Sequence, residues 1–159
     1  ALCKLRVLDL LDSYVSNPET QIQIECASIA IILLDLMELT IDINVGEKAH
    51  KLIKKTCKHT FQIPEDKLGD IFDLLDQVLS RASKGKFAAL GQACSQVAIY
   101  LVRSIVAVNP EKYEEFISRA TEIYLKHLIK WAVTPRDKAN ASLFTDFVNW
   151  LNSKRTPRS

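Results

Sequence analysis

Residues 94–108 read CSQVAIYLVRSIVAV, an almost unbroken apolar run whose single charge is Arg103. Wound as a helix, the run points apolar side chains in nearly every direction, so it has to be packed on several sides. The small residues Ala88, Ala89, Gly91 and Ala93 precede it and let a neighbouring helix approach closely. Its apolar part, 97–108, is shorter than the roughly 18 apolar residues that a bilayer requires, and Arg103 interrupts it, so no membrane segment is expected. It predicts instead the central helix of a helical protein, spanning 87–108 and lying between the helices before and after it. An unpaired buried charge costs several kcal/mol. Arg103 is therefore expected to form a salt bridge or to carry its head out to solvent.

Upstream of this helix the chain shows the same period. Leu2, Leu5, Leu8 and Val15, with Leu10 and Leu11 between them, set against Lys4, Arg6, Asp9 and Asp12, predict a first amphipathic helix. Ser16, Asn17 and Pro18 break it, and Pro18 suits the first turn of the next helix, where its missing donor costs nothing. Residues 22–39, IQIECASIAIILLDLMEL, carry charge only at Glu25, Asp35 and Glu38 and predict an interior helix. Their β-branched residues also suit a buried strand, but the length without alternation favours the helix. Residues 40–46 read as a connection, with Asn44 and Gly46 as turn residues, and 47–60 as a third helix. Pro64 opens a fourth, with Leu68, Ile71, Phe72, Leu75, Val78 and Leu79 as its apolar stripe. SKGK at 83–86 links it to the central helix, with Gly85 as its C-cap.

Downstream, Asn109 and Pro110 end the central helix and start a sixth, marked by Tyr113, Phe116, Ile117, Ala120, Ile123, Tyr124 and Leu128 and closed at Pro135. A shorter seventh helix spans 139–152, with Phe144, Phe147, Val148 and Leu151 on one side. Seven helices joined by short polar links predict an all-α fold of antiparallel hairpins. A HEAT- or armadillo-like α-solenoid segment leads, and a closed helical bundle is second. The segments LDLLDSYV (8–15) and FDLLDQVL (72–79) share DLLD, which marks either a degenerate repeat or convergence of two amphipathic helices. Residues 1–152 form the helical module, and 153–159 a basic, disordered tail. The chain starts at Ala1 within what already reads as helix, so it is expected to be an internal segment of a longer polypeptide.

Composition is that of a globular protein, with 48% apolar and 25% charged residues and only four Gly and five Pro. The net charge of +2 hides an asymmetry: residues 1–83 hold 9 basic and 13 acidic side chains, and residues 84–159 hold 12 and 6. Neither half is basic enough to announce a nucleic-acid binder by charge alone. Cys3, Cys26, Cys57 and Cys94 lie far apart in apolar surroundings without a CxxC pair, which predicts reduced, buried thiols of an intracellular protein.

The strongest polar feature is HKLIKKTCKH, residues 50–59, where Lys51, Lys55 and Lys58 share a helix face, with Lys48 and Lys54 alongside. Such a stripe can neutralise RNA phosphates or meet an acidic protein partner. It is equally a solvated face, or a set of partners for acidic residues on the following antiparallel helix. Asp9 with Asp12, and Asp73 with Asp76, can face the same way at i and i+3. Two-metal chemistry needs further ligands that the neighbouring sequence does not supply, so these read as surface acids. His50, His59 and His127 fit no zinc-ligand spacing, and no nucleophile-elbow, dinucleotide or phosphate-loop signature occurs. No metal, cofactor or small-molecule substrate is expected. Asn140-Ala141-Ser142 matches a glycosylation acceptor, a pattern frequent by chance. Trp131, Trp150 and Phe144 could stack on bases but read as core.

Three phrases together, LRVLDLLDSYV (5–15), EKAHKLIKKTCKH (47–59) and AIYLVRSIV (98–106), resemble the C-terminal part of the helical region in the DNA polymerase phi, or Myb-binding protein, family. Fungal members carry the name DNA polymerase V. The resemblance implies a nucleolar protein built of HEAT-like repeats, with ribosome assembly factors and pre-ribosomal RNA as partners. It implies roles in ribosomal RNA production and large-subunit assembly, and in transcriptional co-regulation. It implies no enzyme, because no polymerase-palm carboxylate motif appears. A transport or trafficking adaptor of the same helical build is the competing expectation.

Overall fold

The computed structural model describes residues 2–20 and 23–155. Among them the chain forms seven α-helices: α1 (Leu2–Ser16), α2 (Glu25–Leu39), α3 (Ile43–Thr56), α4 (Leu68–Ser83), α5 (Ala88–Val108), α6 (Tyr113–Val133) and α7 (Ser142–Arg155). No strand occurs among the described residues. The helices pack as antiparallel hairpins in a HEAT/armadillo-like solenoid, the architecture that the seven-helix pattern predicts.

The centre is α5, as its composition requires. It touches α2, α3, α4, α6 and α7, a wider set than the two sequence neighbours expected. Leu90, Ala93, Cys94, Val97, Ala98, Tyr100, Leu101, Val102 and Ile105 are all fully buried. At 21 residues the whole of α5 is long and apolar enough to cross a bilayer, a test that a buried core helix also passes. What covers its apolar sides here is protein. Arg103 forms no salt bridge among the described residues, and its side chain is partly exposed. Its guanidinium donates to the carbonyls of Cys57 (3.0 Å) and Lys58 (3.4 Å), just past the end of α3. There it meets the negative end of the helix dipole and unpaired terminal carbonyls.

Several helix boundaries differ from the periodic reading, each for a local reason. Residues 17–20 turn, and α2 starts at Glu25 rather than at Pro18; Ile22 lies outside the described residues. α3 begins at Ile43 because the Asp42 carboxylate accepts a hydrogen bond from the Asn44 amide (2.9 Å), an N-cap that draws the expected turn residues Asn44 and Gly46 into the helix. After Pro64 a single 3-10 turn precedes α4. Lys84, not Gly85, caps α4, and no glycine takes a positive φ. Asn140 caps the start of α7 by accepting from the Ser142 amide (2.9 Å). α7 runs on to Arg155, and the rest of the basic tail lies outside the described residues.

The two DLLD segments open two successive three-helix segments, α1–α3 and α4–α6, whose buried positions match although their packing differs, since α1 lies on α3 and α4 chiefly on α5. Leu8 and Phe72 are both buried, as are Val15 and Leu79. At the same sequence spacing, Cys26/Leu90, Ala30/Cys94, Leu33/Val97, Leu34/Ala98 and Met37/Leu101 are buried in α2 and α5. α5 has 21 residues to α2's 15. Beyond it the spacing is longer by about two turns, and Val45/Phe116, Ala49/Ala120, Ile53/Tyr124 and Thr56/His127 then match as buried pairs in α3 and α6. An ion pair repeats too: Asp12–Lys55 at 2.6 Å in the first unit and Asp76–Lys126 at 2.8 Å in the second. The units meet through α5 on α2 and α3, and through Arg81, which bonds Asp35 (2.6 Å) and approaches Glu38 (3.5 Å). α7 packs on α5, where Ser95 donates to Asp146 (2.8 Å). Trp131 and Phe144 meet at 5.5 Å, Phe147 stacks between Tyr124 and Trp150, and the Trp131 indole donates to the Ala139 carbonyl, so these aromatics belong to the packing of α6 and α7.

Candidate interaction surface: the basic face of the third helix

The helical period of α3 turns Val45, Ala49, Leu52, Ile53 and Thr56 inward, which leaves Lys48, Lys51, Lys54 and Lys55 on the outer side, with Lys58 in the turn just past its end. They do not behave alike. Lys48 is bonded to Asp9 and Lys55 to Asp12 at 2.6 Å, so the α1 carboxylates hold two of the five. The pairing is with α1, two helices earlier, not with the following helix considered from sequence. The hydrogen bond from Lys55, helped by Ser16, holds the Asp12 carboxyl below the usual carboxylate range against the opposing effect of desolvation. Lys51, Lys54 and Lys58 are exposed and form no ion pair among the described residues. Lys51 and Lys54 lie about one turn apart on the helix and Lys58 in the turn that follows it, and together they carry uncompensated charge.

Asp9 and Asp12, weighed above as metal ligands, are thus occupied by lysines. Asp76 likewise binds Lys126 and the buried His127 (2.6 Å). Among the described residues no group of three or more His, Cys, Asp or Glu side chains could hold a metal ion. Cys26, Cys57 and Cys94 are buried and Cys3 is exposed. Burial pushes the Cys57 and Cys94 thiols up to about 12, so they are protonated and unreactive at neutral pH.

Sequence reasoning overlooked an apolar groove of about 370 Å³ where the α2–α3 turn faces the start of α5. Met37, Ile41, Ile43, His50 and Phe87 line it, with Ile41 and Ile43 largely exposed. Desolvation, and then the charge of Lys54, lower the pKa of His50, so the imidazole is neutral at physiological pH. From sequence, residues 41–43 read as part of the connection, whereas in the structure the Asp42 N-cap starts α3 at Ile43 and residues 41–43 line one wall of the groove.

The fold and this surface together define a segment of helical solenoid with a cationic outer ridge. Over 96% of its length the chain is 28% identical to the "rDNA transcriptional regulator pol5" of Schizosaccharomyces pombe, and it spans 15% of that protein's length. No protein-family model matches the chain. No solved structure matches it either.

Proposed function

We propose that the chain is a non-enzymatic scaffold module of a nucleolar factor of the DNA polymerase phi, or Myb-binding protein, family. The module acts in ribosomal RNA production and large-subunit assembly, and residues 1–152 are its helical body. The observation that carries this reading is the similarity to the rDNA transcriptional regulator pol5 across nearly the whole chain. The family phrases quoted above support it and are spread over α1, α3 and α5. Lys51, Lys54 and Lys58 are the contacts for pre-ribosomal RNA, because their charge is uncompensated, whereas Lys48 and Lys55 serve mainly to join α3 to α1.

The test is a salt titration of RNA binding. Replacing Lys51, Lys54 and Lys58 together by Gln should weaken binding and lower the slope of log K against log salt by about 2–3. Lys55→Gln should instead reduce stability while leaving the slope nearly unchanged. An unaltered slope in the triple variant would remove RNA from the reading. Affinity purification of the intact protein should recover ribosomal RNA precursors and large-subunit assembly factors. Recovery of transport receptors instead would favour the adaptor reading, for which the groove at Ile41, Ile43 and Phe87 is the specific support, since it suits an apolar peptide side chain.

A further inference from the structure

The apolar groove at the α2–α3 turn is walled by side chains that stand free in solvent. Residues 40–42 join α2 to α3 outside any helix, and Ile41 and Ile43 are 102% and 75% exposed. Across from them is Phe87, the residue just ahead of α5, 44% exposed, and the buried Met37 also lines the space. Gly46, in the first turn of α3, leaves the groove open. No backbone requirement asks for glycine there, since no glycine takes a positive φ, and glycine is the poorest helix residue after proline. A Cβ at Gly46 would meet only the Thr40 methyl, at an ordinary 3.7 Å, so the position has room for a side chain that it does not carry. The charged residues among those lining the groove are Asp42 and Glu47, both acidic. Asp42 caps α3, whereas Glu47 is exposed and forms no ion pair among the described residues. The His50 imidazole adds no charge, and Lys54, which acts on it from one turn further along α3, is not part of the lining. Carboxylates repel phosphates, so the groove suits neither RNA nor an anionic membrane surface.

We propose that this groove docks a short amphipathic helix of another protein, two of whose aliphatic side chains, one turn apart, enter between Ile41, Ile43 and Phe87 while a neighbouring Lys or Arg pairs with Glu47. The apolar walls take the anchors, and the unpaired carboxylate selects the charge beside them. An apolar helix face laid in a groove is a recurring mode of peptide recognition. The volume of about 370 Å³ lies near the lower end of the roughly 300–1,000 Å³ usual for binding pockets, which suits a pair of side chains. Ile41 and Ile43 project beyond the groove, and a helix covers them where a small molecule would not. The proposal rests on the groove's suiting a peptide, as the adaptor reading does, and is independent of the lysine contacts with RNA.

Selection from a random peptide library displayed on phage tests it, with the 159-residue chain as bait and its Gly46→Leu variant, whose new side chain fills the groove, as counter-selection. Enriched sequences should carry two aliphatic residues at i and i+3 or i+4, with Lys or Arg beside them. A synthetic peptide of the enriched sequence should bind Gly46→Leu weaker by roughly tenfold or more. Against Glu47→Gln it should weaken by roughly two- to fivefold, and against Glu47→Lys further. Should Gly46→Leu lose helical circular dichroism, Ile43→Ser removes one exposed wall of the groove instead. No enrichment over the counter-selection overturns the proposal and ends the groove's role as a peptide site. Enrichment of acidic or wholly polar sequences overturns it while leaving a peptide site in place. Self-association of the chain that Gly46→Leu abolishes also overturns it, by making a second copy the occupant. Gly46→Leu changes no charge, so the salt slope of RNA binding should match the wild type, and the two readings fail separately.

Discussion

Asp12 and Asp76 hold matching sequence positions and accept from matching lysines, but Asp12 also accepts from the exposed Ser16, whereas Asp76 is the hydrogen-bond partner of His127, whose side chain is 6% exposed. Removing the Asp12 carboxylate breaks an exposed pair worth at most about 1 kcal/mol. Removing Asp76 leaves a buried imidazole without its partner, a loss of about 1–3 kcal/mol. Asp76→Ala should therefore lower the unfolding free energy clearly more than Asp12→Ala, as read by denaturant titration. Lys126, and less strongly His127, hold the Asp76 carboxyl below its usual range against partial desolvation. A carboxyl depressed in the folded state contributes stability above its unfolded pKa of about 3.9 and loses it as pH falls through the folded value. The carboxylate's part of the difference between wild type and Asp76→Ala should accordingly hold at neutral pH and shrink below about pH 4. A difference that grew on acidification would contradict the assignment.

At the scale of the helix, α5 is the element on which side-chain removal should cost most. Leu101 is fully buried, so Leu101→Ala should destabilise by about 2–5 kcal/mol. Val148→Ala, on the exposed side of α7, should stay within about 0.5 kcal/mol. Equal effects in thermal or denaturant unfolding would mean that α5 is not the packing centre. The existence and order of all seven helices were legible, because apolar periodicity reports burial directly. Their ends were less so, since an end is set by one capping bond, as at Asp42, that periodicity does not contain. Arg103 shows the same limit: sequence demanded a partner, but the partner is a pair of backbone carbonyls, and carbonyls leave no trace in residue type. On the basic face all five lysines could be read from their spacing. Which of them α1 neutralises could not, because that depends on the α1–α3 packing.

The matching buried positions of α1–α3 and α4–α6 raise the question of whether the halves unfold separately, as weakly coupled repeats do. The contacts of α5 argue against it. This helix belongs to the second unit yet packs on α2 and α3 of the first, and Arg81 adds a polar tie between the units. Loss of α4–α6 would strip cover from α2, where Leu33, Leu34 and Met37 are buried. Partial unfolding would therefore expose a large part of the remaining core at about 25 cal/mol per Å² of apolar surface. Both tryptophans, Trp131 and Trp150, lie in α6 and α7, so their fluorescence follows the second half alone, whereas far-UV circular dichroism follows every helix. In urea the two signals should change together, with one midpoint. Ellipticity lost before the fluorescence change would show α1–α3 melting on its own, and would make the α5 contacts with α2 and α3 too weak to join the units.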